Sequence, residues 1–228
     1  MDNYRQRARD LVPNILLTVL SMIQALALEF YWTRLVASEF LWHGGWDALI
    51  GWLQAACVLL GILLLWLYYV SIVLRFSWLP SVSDTLFPFF LGLLEFGLIE
   101  AMHPNSIAVW LILLASMFAL AIFSSHMTLG RARQDPANDY FFKQLAPRSW
   151  RNFRESIFAM SAIIFCGVAL LFVESHALTL LGVCLSMAAF GYQFHQTSLY
   201  WLHSLLPAGS DDSSDPDRSD VSPDRGDH

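Results

Sequence analysis

The stretch Ala48–Leu74, ALIGWLQAACVLLGILLLWLYYVSIVL, holds no charged side chain and a single amide, Gln54. A helix needs about 20 apolar residues to cross about 30 Å of hydrocarbon. This run exceeds that length, so it reads as a membrane-spanning helix that tilts or extends past the bilayer. Five more runs of the same character flank it, about Leu11–Tyr31, Thr85–Met102, Ile107–Met127, Ile157–Glu174 and Leu178–Leu202. Only HPNS (His103–Ser106) separates the third from the fourth, and only SHA (Ser175–Ala177) separates the fifth from the sixth. Connections that short make each of these pairs an antiparallel hairpin. The whole chain is 56% hydrophobic and 14% charged, against about 45–50% and about 25% in soluble domains. The expectation is an all-α polytopic integral membrane protein, residues 1–206, with six transmembrane helices arranged as three helical hairpins.

The net charge of −6 belongs mostly to the tail 207–228, which carries Asp211, Asp212, Asp215, Asp217, Asp220, Asp224 and Asp227 against Arg218 and Arg225. Rich in Ser, Pro and Gly and without apolar residues to bury, that acidic segment is expected to be disordered. The basic residues of the helical part are unevenly placed. Arg5, Arg7 and Arg9, then Arg75, then Arg131, Arg133, Lys143, Arg148, Arg151 and Arg154 fall on one side of a six-span chain, and Arg34 alone falls on the other. The positive-inside rule then puts both termini in the cytoplasm. Arg outnumbers Lys so heavily, with Lys143 the sole lysine, that a GC-rich bacterial genome and an inner (plasma) membrane are expected. The first run is too long for a cleaved leader and lacks a small-x-small site, so it is expected to remain as an anchor. The connection 130–155 mixes aromatics with Arg and suits an interface-lying segment. WHGGW (Trp42–Trp46) suits an outer turn within an aromatic belt.

Chemistry is expected where polar groups enter lipid depth. Glu95 sits mid-span, where an ionised carboxylate costs several kcal/mol unless paired, hydrated or protonated. It reads as a proton or cation site. Glu100 and Glu29 lie near the outer rim, and His103, three residues after Glu100, can share its face. The spacing Gln24 to Glu29 repeats that of Glu95 to Glu100. In the last span Tyr192, His195 and Gln196 lie on one helical face, with Ser186 and Gln193 on an adjacent one; a polar stripe there should face helices or water. Gln54 reads as helix–helix glue, and His126 as a weaker candidate near the inner end. A loose similarity among the three helix pairs raises the idea of a threefold hairpin repeat.

Several classes find no support. There is no nucleophile elbow, P-loop or dinucleotide fingerprint, and no nucleic-acid footprint. The three cysteines, Cys57, Cys166 and Cys184, lie in apolar runs with no ligand spacing, and the Glu100-x-x-His103 pair abuts Pro104, so no metal or cofactor is expected. The leading expectation is not an enzyme but a small channel or transporter. It would move a proton, a cation or a small solute along a path lined by Glu95, Glu100, Glu29, Tyr192, His195 and Gln196, with Gln24, His103 and His126 secondary. A non-transporting subunit that anchors a partner complex is the alternative, and a membrane-embedded enzyme the third. The expected partners are the lipid bilayer and either further copies of the chain or another membrane subunit.

Overall fold

The computed structural model describes residues 2–76, 81–142 and 150–205. The acidic tail 207–228 and part of the connection 130–155 lie outside the described residues. Six long helices make up the fold: α1 (Asp2–Ala37), α2 (Gly45–Arg75), α3 (Val82–Glu100), α4 (Ile107–Ala132), α6 (Arg154–Leu170) and α7 (His176–Leu205), with α5 (Asp139–Phe142) a single turn. Among the described residues there is no strand.

Four of these helices, α1, α2, α4 and α7, are long and apolar enough to cross a membrane. The six-span expectation is therefore met only in part. α3 carries Asp84, Glu95 and Glu100 within its 19 residues, and α6 has 17 residues, about 25 Å at 1.5 Å per residue. Most helices also run past the apolar stretches, because backbone bonding does not stop where apolarity does. α1 begins at Asp2 and α4 continues through Ser124, Ser125, His126 and Thr128, all buried, to Ala132. α3 ends earlier than its apolar text, at Glu100, with Ala101 as the C-cap.

Each sequence-adjacent pair, α1–α2, α3–α4 and α6–α7, packs as a hairpin. Around the bundle the order is α1, α3, α4, α6, α7, α2, closing onto α1. The hairpins therefore meet through α1·α3, α4·α6 and α2·α7, which are three different junctions. A threefold repeat would make them equivalent, so the loose similarity in sequence does not correspond to a threefold arrangement.

The core draws mainly on α2 and α4, with Ile50, Ala55, Cys57 and Ile62 from the first and Trp110, Leu111 and Leu114 from the second, joined by Ile163 and Cys166 of α6 and Phe190 of α7. Cys57 and Cys166 are buried free thiols in this apolar setting, whereas Cys184 is exposed. Large apolar side chains on the outside, such as Leu93, Phe165 and Phe172, suit contact with lipid rather than water. The WHGGW turn reverses the chain through Gly44 and Gly45 at φ 74° and 84°, a region L side chains avoid. Trp42 packs edge-on to Trp52 and Trp46 edge-on to His176, so this end of the bundle carries an aromatic rim.

Candidate functional site

α3 carries the site, and its start is fixed locally. The Ser81 backbone N–H donates to Asp84 Oδ2 at 2.8 Å, closing a capping box over the first turn. The other Asp84 oxygen accepts from Arg131 Nη1 of α4. Asp84 is 5% exposed and the Arg131 side chain 23%, so the carboxylate is nearly out of water and the guanidinium only partly so. Tyr68, Tyr69, Ser124 and Thr128 line a small enclosed space beside Asp84. Next to it His126, also buried, stacks on Trp150 with ring centroids 4.0 Å apart.

At its other end α3 is tied to α1. Arg34 Nη2 lies 3.5 Å from Glu100 Oε1 and donates to the Glu100 backbone carbonyl at 3.3 Å. A guanidinium at a helix C-terminus also complements the helix dipole. Both partners of this second ion pair are substantially exposed.

Between these two ends lies Glu95, 2% exposed. Gln24 of α1, also buried, donates from Nε2 to Glu95 Oε2 at 2.8 Å. The remaining side-chain oxygens, Glu95 Oε1 and Gln24 Oε1, are buried and have no protein partner. α1 and α3 run in the same direction, and each carries a polar residue followed five positions later by a glutamate. The first pair, Gln24 and Glu95, meets inside. The second pair, Glu29 and Glu100, borders an open groove of about 630 Å³ between the same helices, with Leu26, Phe30, Thr33 and Phe96 among its walls. The Phe30 and Phe96 rings pack 5.8 Å apart.

The structure thus gathers Gln24, Glu95, Glu29 and Glu100 along the α1–α3 seam. It leaves the α7 stripe elsewhere. α7 packs against α2 and α6; Tyr192 is 43% exposed, His195 is exposed and Gln196 half-buried. The polar contact α7 makes inward is the neighbouring one, where Gln193 Nε2 donates to Ser156 Oγ at 2.6 Å. Ser186 is fully buried and donates to its own helix at Gly182 O. His103 does not share a helical face with Glu100, because α3 has already ended; its Nδ1 accepts from the Asn105 N–H and its ring packs edge-on to Phe40. Gln54 is fully buried, yet neither its Oε1 nor its Nε2 has a protein partner, so it bonds no neighbouring helix. Among the described residues, no three His, Cys, Asp or Glu side chains come together as a ligand set.

Sequence reasoning missed Asp84, Arg131 and Arg34 as members of the site. The first had a signal, since Ser81-x-x-Asp84 has the form of a capping box ahead of an apolar run. The two arginines looked like topology markers, and only the packing of α3 against α4 and α1 shows what they hold.

No family model matches the chain, and neither a curated protein nor a solved structure matches it.

Proposed function

We propose that the protein is a carrier that moves a proton or small cation across a bacterial inner membrane, with Glu95 as the binding group and Gln24 as its fixed partner. The observation that supports this most is the pair of buried acceptors, Glu95 Oε1 and Gln24 Oε1, that no protein donor serves. A buried polar atom without a partner costs about 1–3 kcal/mol. A proton on Glu95 that bonds Gln24 Oε1, or a small cation held by both oxygens, relieves the two together. Either species is then bound at lipid depth by one carboxyl.

The two ion pairs give the reading its gates. Asp84–Arg131 fastens α3 at one end and Arg34–Glu100 at the other. Pro88 removes one backbone hydrogen bond from α3 between them, which makes α3 the element best suited to shift. In this reading all six long helices cross the bilayer, α3 with its acids turned to protein and α6 as a short span, and both termini lie on the arginine-rich cytoplasmic side. Arg34 and the WHGGW turn then lie outside.

The outward-facing Tyr192 and His195 favour a second role for α7. Exposed polar side chains in a spanning helix are costly against lipid, and a further protein surface against α7, from another copy or another subunit, would cover them. That contact is compatible with a carrier and with a non-transporting subunit alike.

The test is flux in proteoliposomes under imposed pH and cation gradients, for the native chain and for Glu95→Gln. The carrier reading expects flux from the first and none above background from the second. A folded native sample that moves neither protons nor any of several cations overturns it.

A further inference from the structure

Cavities, titratable clusters and exposed faces elsewhere in the molecule are less complete than the groove between α1 and α3. It lies between α1 and α3, two helices that also expose the large apolar side chains Trp32 and Leu93. Its volume, about 630 Å³, falls within the range of about 300–1,000 Å³ typical of sites for small organic ligands. Its walls are Leu26, Phe30 and Phe96, and its polar members are Glu29, Glu100 and the Thr33 hydroxyl. Thr33 Oγ1 donates to the Glu29 carbonyl, and none of the lining residues is Lys, Arg or His.

The charge balance points to one kind of occupant. Two carboxylates border the groove and one guanidinium, Arg34, answers them through Glu100. Glu29 has no ion-pair partner among the described residues. Aromatic faces attract cations through their quadrupole, most strongly where water is scarce. Phe30 and Phe96 supply two such faces next to the uncompensated carboxylate.

We propose that this groove binds a lipophilic organic cation, an ammonium carried on an apolar body, which enters sideways from the bilayer with its charge at Glu29. The proposal rests on the carrier reading for its purpose. Phe96 follows Glu95 directly on α3, so an occupant that displaces Phe96 acts on the helix that holds the Glu95–Gln24 bond. The organic cation is then the transported substrate, and the proton or small cation at Glu95 is the coupling ion. A second copy of the chain offers this groove no free cation from the same end, because among the described residues Arg34 is the sole Lys or Arg there and it is engaged with Glu100.

The test uses the full chain in nanodiscs of digalactosyl diacylglycerol, whose headgroup has no ammonium, with radiolabelled decyltrimethylammonium as the probe and empty nanodiscs as the background. Saturable binding is expected. Glu29→Gln, at an exposed position, should weaken it at least tenfold, and Thr33→Trp, which fills the groove from its wall, should abolish it. Neutral decanol should not compete. The proposal is overturned if binding is absent, if both variants bind as the native chain does, if decanol displaces the probe equally well, or if phosphatidylethanolamine in the disc displaces it, which would make the groove a lipid site. Absent binding with flux that still depends on Glu95 removes the groove alone. Binding that survives while Glu95→Gln leaves flux unchanged removes the carrier reading and keeps the groove.

Discussion

Gln24 Nε2 donates to Glu95 Oε2 across the α1–α3 seam at 2.8 Å, with both side chains buried. That bond leaves one acceptor on each partner unanswered, and the asymmetry of hydrogen-bond energetics makes its consequences measurable. Removing one member strands the other, whereas removing both leaves only apolar surface. Gln24→Leu should lower stability by about 1–3 kcal/mol. The double variant Gln24→Leu/Glu95→Leu should recover most of that loss. Denaturation of the detergent-solubilised protein, read by circular dichroism, supplies the comparison; a double variant less stable than the single would contradict it.

The two ion pairs of α3 should differ sharply. Arg131 faces a carboxylate that is 5% exposed and also caps a helix, so Arg131→Ala leaves a buried charge and should cost about 3–5 kcal/mol. The Arg34–Glu100 pair is 35% and 63% exposed, so Arg34→Ala should cost about 1 kcal/mol or less, falling further in high salt. The same denaturation series at low and high salt checks both values.

Close packing of α6 on α4 gives a third expectation. A Cβ on Gly167 would sit 3.0 Å from Leu111 Cβ and 3.2 Å from the Ala108 carbonyl oxygen, atoms that cannot swing away, while one on Gly191 meets nothing within 4 Å. Gly167→Ala should destabilise by about 1–3 kcal/mol. Gly191→Ala should be neutral or stabilising by up to about 1 kcal/mol, since alanine is the better helix former.

In the proposed six-span arrangement the α3–α4 and α6–α7 turns lie on the side opposite the termini. In a background where Cys57, Cys166 and Cys184 are replaced by Ala, Asn105→Cys and Ser175→Cys should react with an impermeant maleimide added outside intact cells. Arg133→Cys should react only after the membrane is opened. Labelling of Arg133→Cys from outside would reverse the orientation, and Asn105 and Arg133 labelling from the same side would remove α4 as a span.

How far the sequence reads depends on which residues the fold places side by side. The uncharged run Ala48–Leu74 declares a spanning helix because helix length against lipid thickness is a one-dimensional property. Glu95 is conspicuous for the same reason, as a carboxyl group within an apolar run. The matching offsets of Gln24–Glu29 and Glu95–Glu100 were visible too, but their meaning depends on α1 and α3 being parallel neighbours, which no local pattern states. The α7 stripe shows the limit from the other side. Helical spacing puts Tyr192, His195 and Gln196 on one face, yet periodicity is silent about which direction that face points, and here Tyr192 and His195 are exposed while Gln196 is half-buried. The ion pairs at the ends of α3 join residues far apart in the chain, 47 positions for Asp84 and Arg131 and 66 for Arg34 and Glu100, and so emerge only from packing.

The most direct measurement is a swap of the carboxyl across the seam. Proton and cation flux would be recorded in proteoliposomes for the native chain, Glu95→Gln, and the double variant Gln24→Glu/Glu95→Gln, which keeps one acid and one amide in contact but exchanges their helices. The account predicts flux in the native chain, none in Glu95→Gln, and partial return in the double variant. Flux that persists in Glu95→Gln, or no flux from a folded native protein, would contradict it.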